Sequence, residues 1–281
     1  VGSDEGRVTA FEGGATGCGD IGMPGVVSAH TPMGGAGAKE GGVGCALGAA
    51  VGRPARERDR RLGGASRDEL IAAMRRTLQL MEETGTVAHL DFRESGEPGT
   101  EALRTAASET ATDAVIFGSG PASVLDLADG YGASGANDDE FTDERAAARK
   151  ANKPFAIHAG EPDATDIHPA LDYEPELLVH MVHAEAEHLE RVADQAVPVA
   201  VCPRANAVLD VGRPPIRGLL DHTTVALGTD NVMLNSPSMF REMAFTTKTY
   251  DVSDREVLRM ATQAGAEIAD LNCGVIEPGR R

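Results

Sequence analysis

Short apolar runs that end in polar residues recur along the chain from position 86 onward. The clearest covers residues 155–161, where Phe-Ala-Ile precedes His158 and Glu161 follows three positions later. A continuous apolar run of this length is typical of a strand buried on both faces, and its polar residues lie where the strand would give way to a loop. Three later runs have the same form, and they end at His180, Cys202 and Asp230.

Helical periodicity separates the predicted strands. Ser66 and Glu69 predict a capping box, behind which apolar residues recur at helical spacing until Gly85 closes the helix. Further helices are predicted near residues 100–111, 138–150, 185–196, 215–220, 237–247 and 253–270. Strands are predicted to start near residues 25, 86, 114, 124, 155, 177, 197 and 224, with the weakest signal at the fourth. This alternation predicts an α/β fold, a (β/α)8 TIM barrel, in which catalytic groups collect at the carboxyl ends of the strands.

Residues 34–64 depart from this pattern. They are dense in glycine, contain a basic run over 53–61 and show little apolar periodicity, so we expect a long loop or a partly disordered segment. The basic run is interpreted as a solvated loop in preference to a binding patch.

Composition narrows the class of protein. The chain of 281 residues is long enough for a large core, and it contains no run of eighteen apolar residues that would predict a membrane span. Its first residues lack the layout of a signal peptide. The four cysteines are far apart and predict neither a disulfide scaffold nor a CxxC metal site, so we expect a reducing, cytoplasmic location.

The charge is strongly acidic. A formal net charge of -18 argues against nucleic acid and anionic membranes as partners. Lysine occurs only four times, and an acid excess with scarce lysine is typical of the surface of a salt-adapted protein.

Each polar strand end has a structural interpretation beside a functional one. A lone histidine such as His158 is more often a core residue, but Glu161 beside it and polar ends on later strands favour a site. An unpaired carboxylate after a buried run is costly, so Asp230 favours a metal or histidine partner. His180 and His183 are three residues apart, so only one of them is expected to enter the barrel mouth.

The other candidates are divided in the same way. His30 ends the first predicted strand as His158 ends the fifth. Cys202 is a possible nucleophile, but no base adjoins it in sequence and packing is the favoured interpretation. The remaining histidines are interpreted as strand or surface residues without a site role: His89, His168, His188 and His222.

Together the strand ends resemble the amidohydrolase superfamily, most closely its branch of cytosine deaminases, adenosine deaminases and chlorohydrolases. His158-Ala-Gly-Glu161 resembles the fifth-strand motif His-x-x-Glu, and His180-Met-Val-His183 resembles the sixth-strand motif, in which the first histidine is functional. Residues 202–206, Cys-Pro-Arg-Ala-Asn, are similar to the seventh-strand turn. Residues 227–231 and 274–279 resemble the eighth-strand aspartate motif and the return to a small β-sandwich.

The resemblance implies roles for these residues. His30, His158 and Asp230 would ligate a divalent metal, zinc in the first place with iron as the alternative, and His180 joins this set. Glu161 would move a proton between the attacking water and the ring nitrogen or leaving group. His180 would orient the activated water, and Asp230 would accept its proton. Apart from the resemblance, we expect the polar contacts to substrate to come from Arg204, Asn206 and Asn231.

The sequence departs from the family at its first strand. The family has His-x-His there, whereas His30 is followed by Thr31 and Pro32, and proline cannot bind a metal. The resemblance also implies three domains: a β-sandwich remnant over 1–22, the barrel over 23–272 and the start of a return to the sandwich over 273–281.

The expected function is therefore metal-dependent hydrolysis of a C–N bond, with deamination of a small heterocycle as the first hypothesis. Pro32 favours a second hypothesis, a degenerate homologue that binds a ligand without turnover. A chlorohydrolase or amide hydrolase differs only in the leaving group and stays open. The expected partner is a small-molecule substrate, and the sequence leaves a homo-oligomer open.

Overall fold

The structure, a computed structural model, describes residues 2–4, 7–10, 22–38, 44, 47 and 64–280. Two short strands, β1 (Gly2–Asp4) and β2 (Arg7–Ala10), form an antiparallel pair. Most of the predicted sandwich remnant over 1–22 lies outside the described residues, as do Cys18, Cys45 and the basic run over 53–61. The three-domain division therefore stays a prediction.

Eight parallel strands follow in chain order and are hydrogen-bonded to their sequence neighbours in one sheet. The first and last of them are joined by hydrogen bonds from the Ala29 N–H to the Leu227 carbonyl (2.8 Å) and from the Asp230 N–H to the His30 carbonyl (2.9 Å). The sheet thus curls into a nearly closed barrel, which confirms the predicted (β/α)8 fold. The strands are β3 (Val26–Ser28), β4 (Thr86–Arg93), β5 (Asp113–Gly118), β6 (Gly130–Gly135), β7 (Phe155–Ala159), β8 (Leu177–His180), β9 (Val199–Val201) and β10 (Val225–Leu227).

Helices alternate with these strands. The capping box predicted at Ser66 is present: its hydroxyl accepts the Glu69 N–H, and the Glu69 carboxylate accepts the Ser66 N–H. The single helix predicted over 253–270 is wrong, because the chain leaves helical geometry at Thr262 and forms two helices. The helices are α1 (Arg67–Glu83), α2 (Gly96–Ala107), α3 (Thr142–Ala151), α4 (Ile167–Asp172), α5 (Ala186–Gln195), α6 (Pro203–Leu209), α7 (Ile216–His222), α8 (Met239–Thr249), α9 (Asp254–Ala261) and α10 (Gln263–Ile268), with 3-10 turns at Met33–Ala38 and Ala122–Asp126.

The fourth barrel strand lies later in the chain than predicted. The segment near 124–127 forms a 3-10 turn, and the strand is the glycine-rich β6. A Cβ atom on Gly130 would lie 2.7 Å from the Phe117 ring, and one on Gly132 would lie 2.9 Å from the Phe92 ring. Glycine is therefore required where two aromatic rings fill the barrel, and a strand of small residues carries no apolar periodicity by which to recognise it.

The barrel interior is packed with small and medium side chains, including Ala88, Leu90, Ala156, Val179 and Ala226. A larger apolar cluster lies between the strands and the surrounding helices. Because the interior is filled, the space for a ligand is at the carboxyl ends of the strands. Within the described residues, no helix combines the length and apolar character needed to span a membrane.

Candidate metal centre

Five polar side chains from four strands meet at the carboxyl end of the barrel. The ligand atoms of His30, His158 and His180 lie within 4.8 Å of one another, and so do those of Glu161, His180 and Asp230. These are the strand-end residues on which the sequence-based site depends.

The backbone at two of these residues is strained. His180 has φ +79° and Asp230 has φ +58°, in the left-handed region that residues other than glycine rarely adopt. Hydrogen bonds hold both turns, from the Met181 N–H to the Ala159 carbonyl and from the Asp230 N–H to the His30 carbonyl. Strain of this kind concentrates at functional sites, where the surrounding structure fixes a side chain in an otherwise unfavourable position.

Gly228 allows the first and last strands to approach each other. A Cβ atom there would lie 2.7 Å from the His30 carbonyl oxygen and 2.8 Å from the His30 Cβ. Any other residue would separate β3 from β10, and His30 from Asp230.

The histidines differ in their hydrogen bonds. His158 Nδ1 lies 2.9 Å from the Ala133 carbonyl, and since a carbonyl only accepts, Nδ1 carries the proton. The lone pair of His158 is therefore on Nε2, as a metal ligand requires. His30 is fully buried, and neither of its ring nitrogens has a hydrogen-bond partner. Its Nε2 lies 3.6 Å from Asp230 Oδ1, and its ring packs edge-on against Phe92.

Burial makes the rings neutral. It lowers the pKa of His158 to about 4 and the pKa of His180 to about 3. Burial alone would raise the pKa of Asp230, but the imidazoles of His30 and His180 hold it below its ordinary value. At neutral pH the site thus combines neutral His158 and His180 with an ionised Asp230.

Glu161 differs from Asp230 in its protonation. Burial, and after it the charges of Asp230 and Asp166, raise the pKa of Glu161 well above its ordinary value. Its Oε2 lies 3.6 Å from His180 Nε2, and its Oε1 is buried without a hydrogen-bond partner. Two carboxyl groups with opposite pKa shifts can serve as an acid and a base at the same pH.

These groups fit a divalent metal ion. Imidazole nitrogens and a carboxylate are a donor set that zinc accepts, and His158 already presents the correct ring nitrogen. The ring nitrogens of His30 are buried without partners, which is costly unless something binds them. A cation between His30, His158 and Asp230 would remove that cost.

The position at which the family has the second histidine of its first-strand motif offers no metal ligand in this chain. Pro32 lies in a buried segment and has no donor to offer, while neighbouring Thr31 is engaged with the hydroxyls of Ser28 and Thr229. Of the two histidines near the end of β8, His180 is its last residue and enters the mouth, while His183 lies in the following loop with Nε2 2.9 Å from the Val211 carbonyl. Cys202 is fully buried, which raises the pKa of its thiol well above the ordinary value and disfavours a thiolate.

The three residues predicted to contact substrate are mostly engaged with protein. Arg204 donates to the carboxylate of Glu242 through Nε (2.7 Å) and to the Ser236 carbonyl through Nη2 (2.7 Å). Asn206 is fully buried with its Nδ2 3.3 Å from His180 Nδ1. Asn231 accepts the Met233 N–H through its side chain (3.0 Å), and its own N–H donates to Asp230 Oδ1 (2.6 Å).

Three further residues near the site were not predicted from the sequence. Asp166 Oδ1 accepts the Gly160 N–H (2.7 Å) and so supports the turn before Glu161. Phe92 packs its ring against His30 and His158, and Glu242 is fully buried against Arg204. The alternation along β4 could have indicated that Phe92 points inward, but the other two contacts depend on the tertiary fold.

A second group, His168, Glu187 and His188, also has ligand atoms within 4.8 Å of one another. His188 was predicted to be a surface residue, but only 4% of it is exposed. Its Nδ1 accepts the Glu185 N–H (3.0 Å) at the start of α5, so its ring caps the helix. The guanidinium of Arg191 lies 3.3 Å from His168 Nδ1, which disfavours a cation there.

Comparisons with known proteins identify relatives of the chain. A model described as the amidohydrolase family matches residues 23–281. A putative aminohydrolase of Methanothermobacter thermautotrophicus is 32% identical over 295 residues, which cover 91% of this chain and 76% of that protein. A 5-methylthioadenosine/S-adenosylhomocysteine deaminase of Halobacterium salinarum is 30% identical over 160 residues, which cover 48% of this chain and 37% of that protein.

The fold is shared with a solved enzyme. The crystal structure of an adenosine deaminase from Xanthomonas campestris with bound zinc aligns with a TM-score of 0.77 at 18% identity. The alignment covers 92% of this chain and 70% of that one.

Proposed function

The chain belongs to the amidohydrolase family, and from that premise we propose that it deaminates a small heterocycle carrying an exocyclic amino group. It is a metal-dependent hydrolase of C–N bonds other than peptide bonds. In the proposed reaction, water adds its oxygen at the carbon that bears the amino group, and ammonia leaves. The observation that carries the proposal is the convergence of His30, His158, Glu161, His180 and Asp230 at one end of the barrel.

We propose zinc as the metal, with iron as the alternative. His30, His158 and Asp230 would hold it, with His180 beside them. When bound, a divalent metal lowers the pKa of water toward neutrality and polarises the bond under attack. The zinc bound in the adenosine deaminase structure supports this choice.

The chain's own residues supply proton transfer. Asp230 is ionised and can accept the proton of the attacking water. Burial raises the pKa of Glu161 well above its ordinary value, so its carboxyl is suited to hold a proton and donate it to the ring nitrogen or the departing amine. These roles predict that activity falls at high pH, where Glu161 loses its proton.

The choice of deamination rests on similarity. The relative from Halobacterium salinarum is named for removal of an amino group from an adenine-containing compound, which favours an aminopurine-like substrate. The chlorohydrolase and amide hydrolase alternatives use the same site residues with another leaving group.

We further propose a cytoplasmic location and a small-molecule substrate without a nucleic-acid partner, consistent with the net charge of -18.

Pro32 supports a second candidate function, a homologue that binds a ligand without turnover. Loss of one imidazole donor would weaken metal binding, and the site would then retain its shape without its catalyst. The two functions differ in metal content, which is near-stoichiometric for the enzyme and absent at saturating metal for the binder.

The test is ammonia release by the zinc-loaded protein from a panel of aminopurines, aminopyrimidines and their nucleosides. We expect turnover of at least one compound, and Glu161→Gln should lower kcat by about 10²- to 10⁴-fold without loss of bound zinc. The matched control is Glu190→Gln on the exposed face of α5, which should behave as the unmodified protein. Zinc-loaded protein that releases no ammonia from any compound would contradict deamination, and protein that binds no zinc would contradict the enzyme altogether.

A further inference from the structure

We propose that the buried amide of Asn206 determines which ring nitrogen of His180 carries the proton. It thereby makes His180 a hydrogen-bond donor at the site and leaves metal binding to His30, His158 and Asp230. Asn206 is then a positioning residue, and no longer a substrate contact. The inference rests on the proposed function for its catalytic consequence, but the protonation of His180 can be measured without any turnover.

The contact between the two side chains sets the proton. Asn206 Nδ2 lies 3.3 Å from His180 Nδ1, and both residues are buried, with 0% and 2% of their surface exposed. The amide nitrogen can only donate, so Nδ1 must accept with its lone pair. A neutral imidazole has one proton, and in His180 it is therefore on Nε2.

The opposite side of the ring favours the same arrangement. His180 Nε2 lies 3.6 Å from Glu161 Oε2, and the Asp230 carboxylate is within the same group of ligand atoms. A proton on Nε2 is attracted by the ionised carboxylate of Asp230, whereas a lone pair there would be repelled by it. With its proton on Nε2, His180 cannot bind a metal through that atom.

The neighbouring histidine shows the contrast. The rings of His158 and His180 are stacked with centroids 5.3 Å apart and an interplanar angle of 29°. The Nδ1 of His158 faces a carbonyl, which accepts, and the Nδ1 of His180 faces an amide nitrogen, which donates. Two adjacent histidines thus hold opposite tautomers, one suited to bind a metal and one suited to donate a hydrogen bond.

The amide is held by its helix. Asn206 lies in α6, and its N–H donates to the Cys202 carbonyl (3.0 Å). The same helix is tied to α8, because the Arg204 N–H and Nε donate to the Glu242 carboxylate at 2.9 and 2.7 Å. The amide orientation leaves Asn206 Oδ1 without a partner. If the amide were rotated by 180°, its NH2 group would be the buried group without a partner. Buried donors without partners are rarer than buried acceptors without partners, so the first orientation is favoured.

The direct test is the tautomer of His180 in the metal-free protein. Long-range proton–nitrogen correlation on protein labelled with ¹⁵N-histidine distinguishes protonated from bare ring nitrogens, and His180→Gln assigns the signals. We expect a bare Nδ1 and a protonated Nε2 in His180, and the reverse in His158. A protonated Nδ1 in His180 would overturn the inference, whether or not the protein is an active deaminase.

Asn206→Asp tests the cause. Its carboxylate can only accept, so the proton of His180 should move to Nδ1 and its Nε2 should become available to zinc. The matched control is Asn235→Asp, which adds the same charge in the loop after β10 and should leave the tautomer unchanged. Unchanged His180 signals in folded Asn206→Asp would contradict a determining role for the amide. If that variant does not fold, the tautomer of the unsubstituted protein still decides the inference.

Zinc titration separates this inference from the proposed function. In the unsubstituted protein, the nitrogen signals of His30 and His158 should shift on zinc binding, while Nε2 of His180 keeps its proton. Loss of that proton on zinc binding would show that His180 is a ligand and would overturn the inference, although the metal site itself would stand. Absence of any shift in His30 and His158 would contradict the proposed metal site and leave the tautomer result intact.

Discussion

His89 lies on the face of strand β4 opposite to Leu90 and Phe92, which point into the barrel. It shares this outward face with Asp91 and Arg93, and all three side chains are buried. Neither ring nitrogen of His89 has a hydrogen-bond partner, and burial lowers its pKa to about 4. Its protonation is therefore opposed by the fold.

This burial makes stability depend on pH. The folded state holds His89 neutral between about pH 4 and 6.5, whereas the unfolded chain binds a proton below 6.5. The free energy of unfolding should thus be highest above pH 6.5 and fall as the pH decreases toward 4, by about 3 kcal/mol at most from this residue. We expect His89→Leu to reduce the loss between about pH 7 and pH 4.5 by about 1–3 kcal/mol, as measured by urea unfolding of metal-free protein.

The control for this prediction is His222→Leu, because His222 is exposed at the end of α7. It should show the same loss of stability as the unsubstituted protein. Equal losses in all three proteins would show that His89 is not the group that titrates.

At the scale of the element, strand β6 connects the barrel core to the site. Its Gly132 faces Phe92, and the Phe92 ring packs against His30 and His158 with centroid distances of 4.6 and 5.0 Å. A displacement of that ring would move two of the proposed metal ligands, since packed interiors have little free volume.

Gly132→Ala should therefore affect stability and metal binding together. The added Cβ would also lie 3.0 Å from the Phe117 carbonyl oxygen, which cannot rotate away. We expect a loss of about 1–3 kcal/mol in the free energy of unfolding and a weaker zinc affinity, measured by urea unfolding and competition with a zinc indicator. Gly64→Ala is the control, because nothing lies within 4 Å of a Cβ at that position. A variant at Gly132 that binds zinc normally would show that the ring is free to move.

The barrel strands differ in whether their ends could be predicted from the sequence. His30, His158, His180 and Asp230 were identifiable because each ends an apolar run, and parallel strands bring their carboxyl ends together. Strand β6 was not, because its small residues are fixed by rings from β4 and β5 and leave no periodic signal.

The predicted substrate contacts show the same limit. A polar residue after a strand can face the ligand or the protein, and only the tertiary structure decides between them. The partner of Arg204 is Glu242, on a helix after the last strand, and the partner of Asn206 is His180, at the end of the neighbouring strand β8. The order of apolar and polar residues along the chain does not distinguish a side chain that binds protein from one that binds substrate.

At the scale of the whole molecule, the dominant property is the formal net charge of -18. Repulsion among these charges opposes the compact state, and salt screens it. The screening length decreases from about 10 Å at 0.1 M to about 3 Å at 1 M salt.

Stability should consequently rise with salt. We expect the midpoint of thermal unfolding to increase between about 0.1 M and 1 M KCl near neutral pH, as followed by circular dichroism. The control is the same pair of measurements near the sequence pI of about 4.8, where the net charge vanishes and the effect should largely disappear. An equal increase at both pH values would show that salt stabilises the fold by strengthening the burial of apolar surface and not by screening charge. The net charge would then no longer support salt adaptation.

The contact between His30 and Asp230 has a consequence for folding. These residues follow the first and the last strands of the barrel, and the only backbone joining those strands is the rest of the domain. An ion held by both side chains would act as a cross-link that closes a very long loop, and such links restrict the unfolded chain most. Metal binding and closure of the barrel would then be coupled, so a substitution that weakens the contact between the first and the last strand would also lower the affinity for the ion.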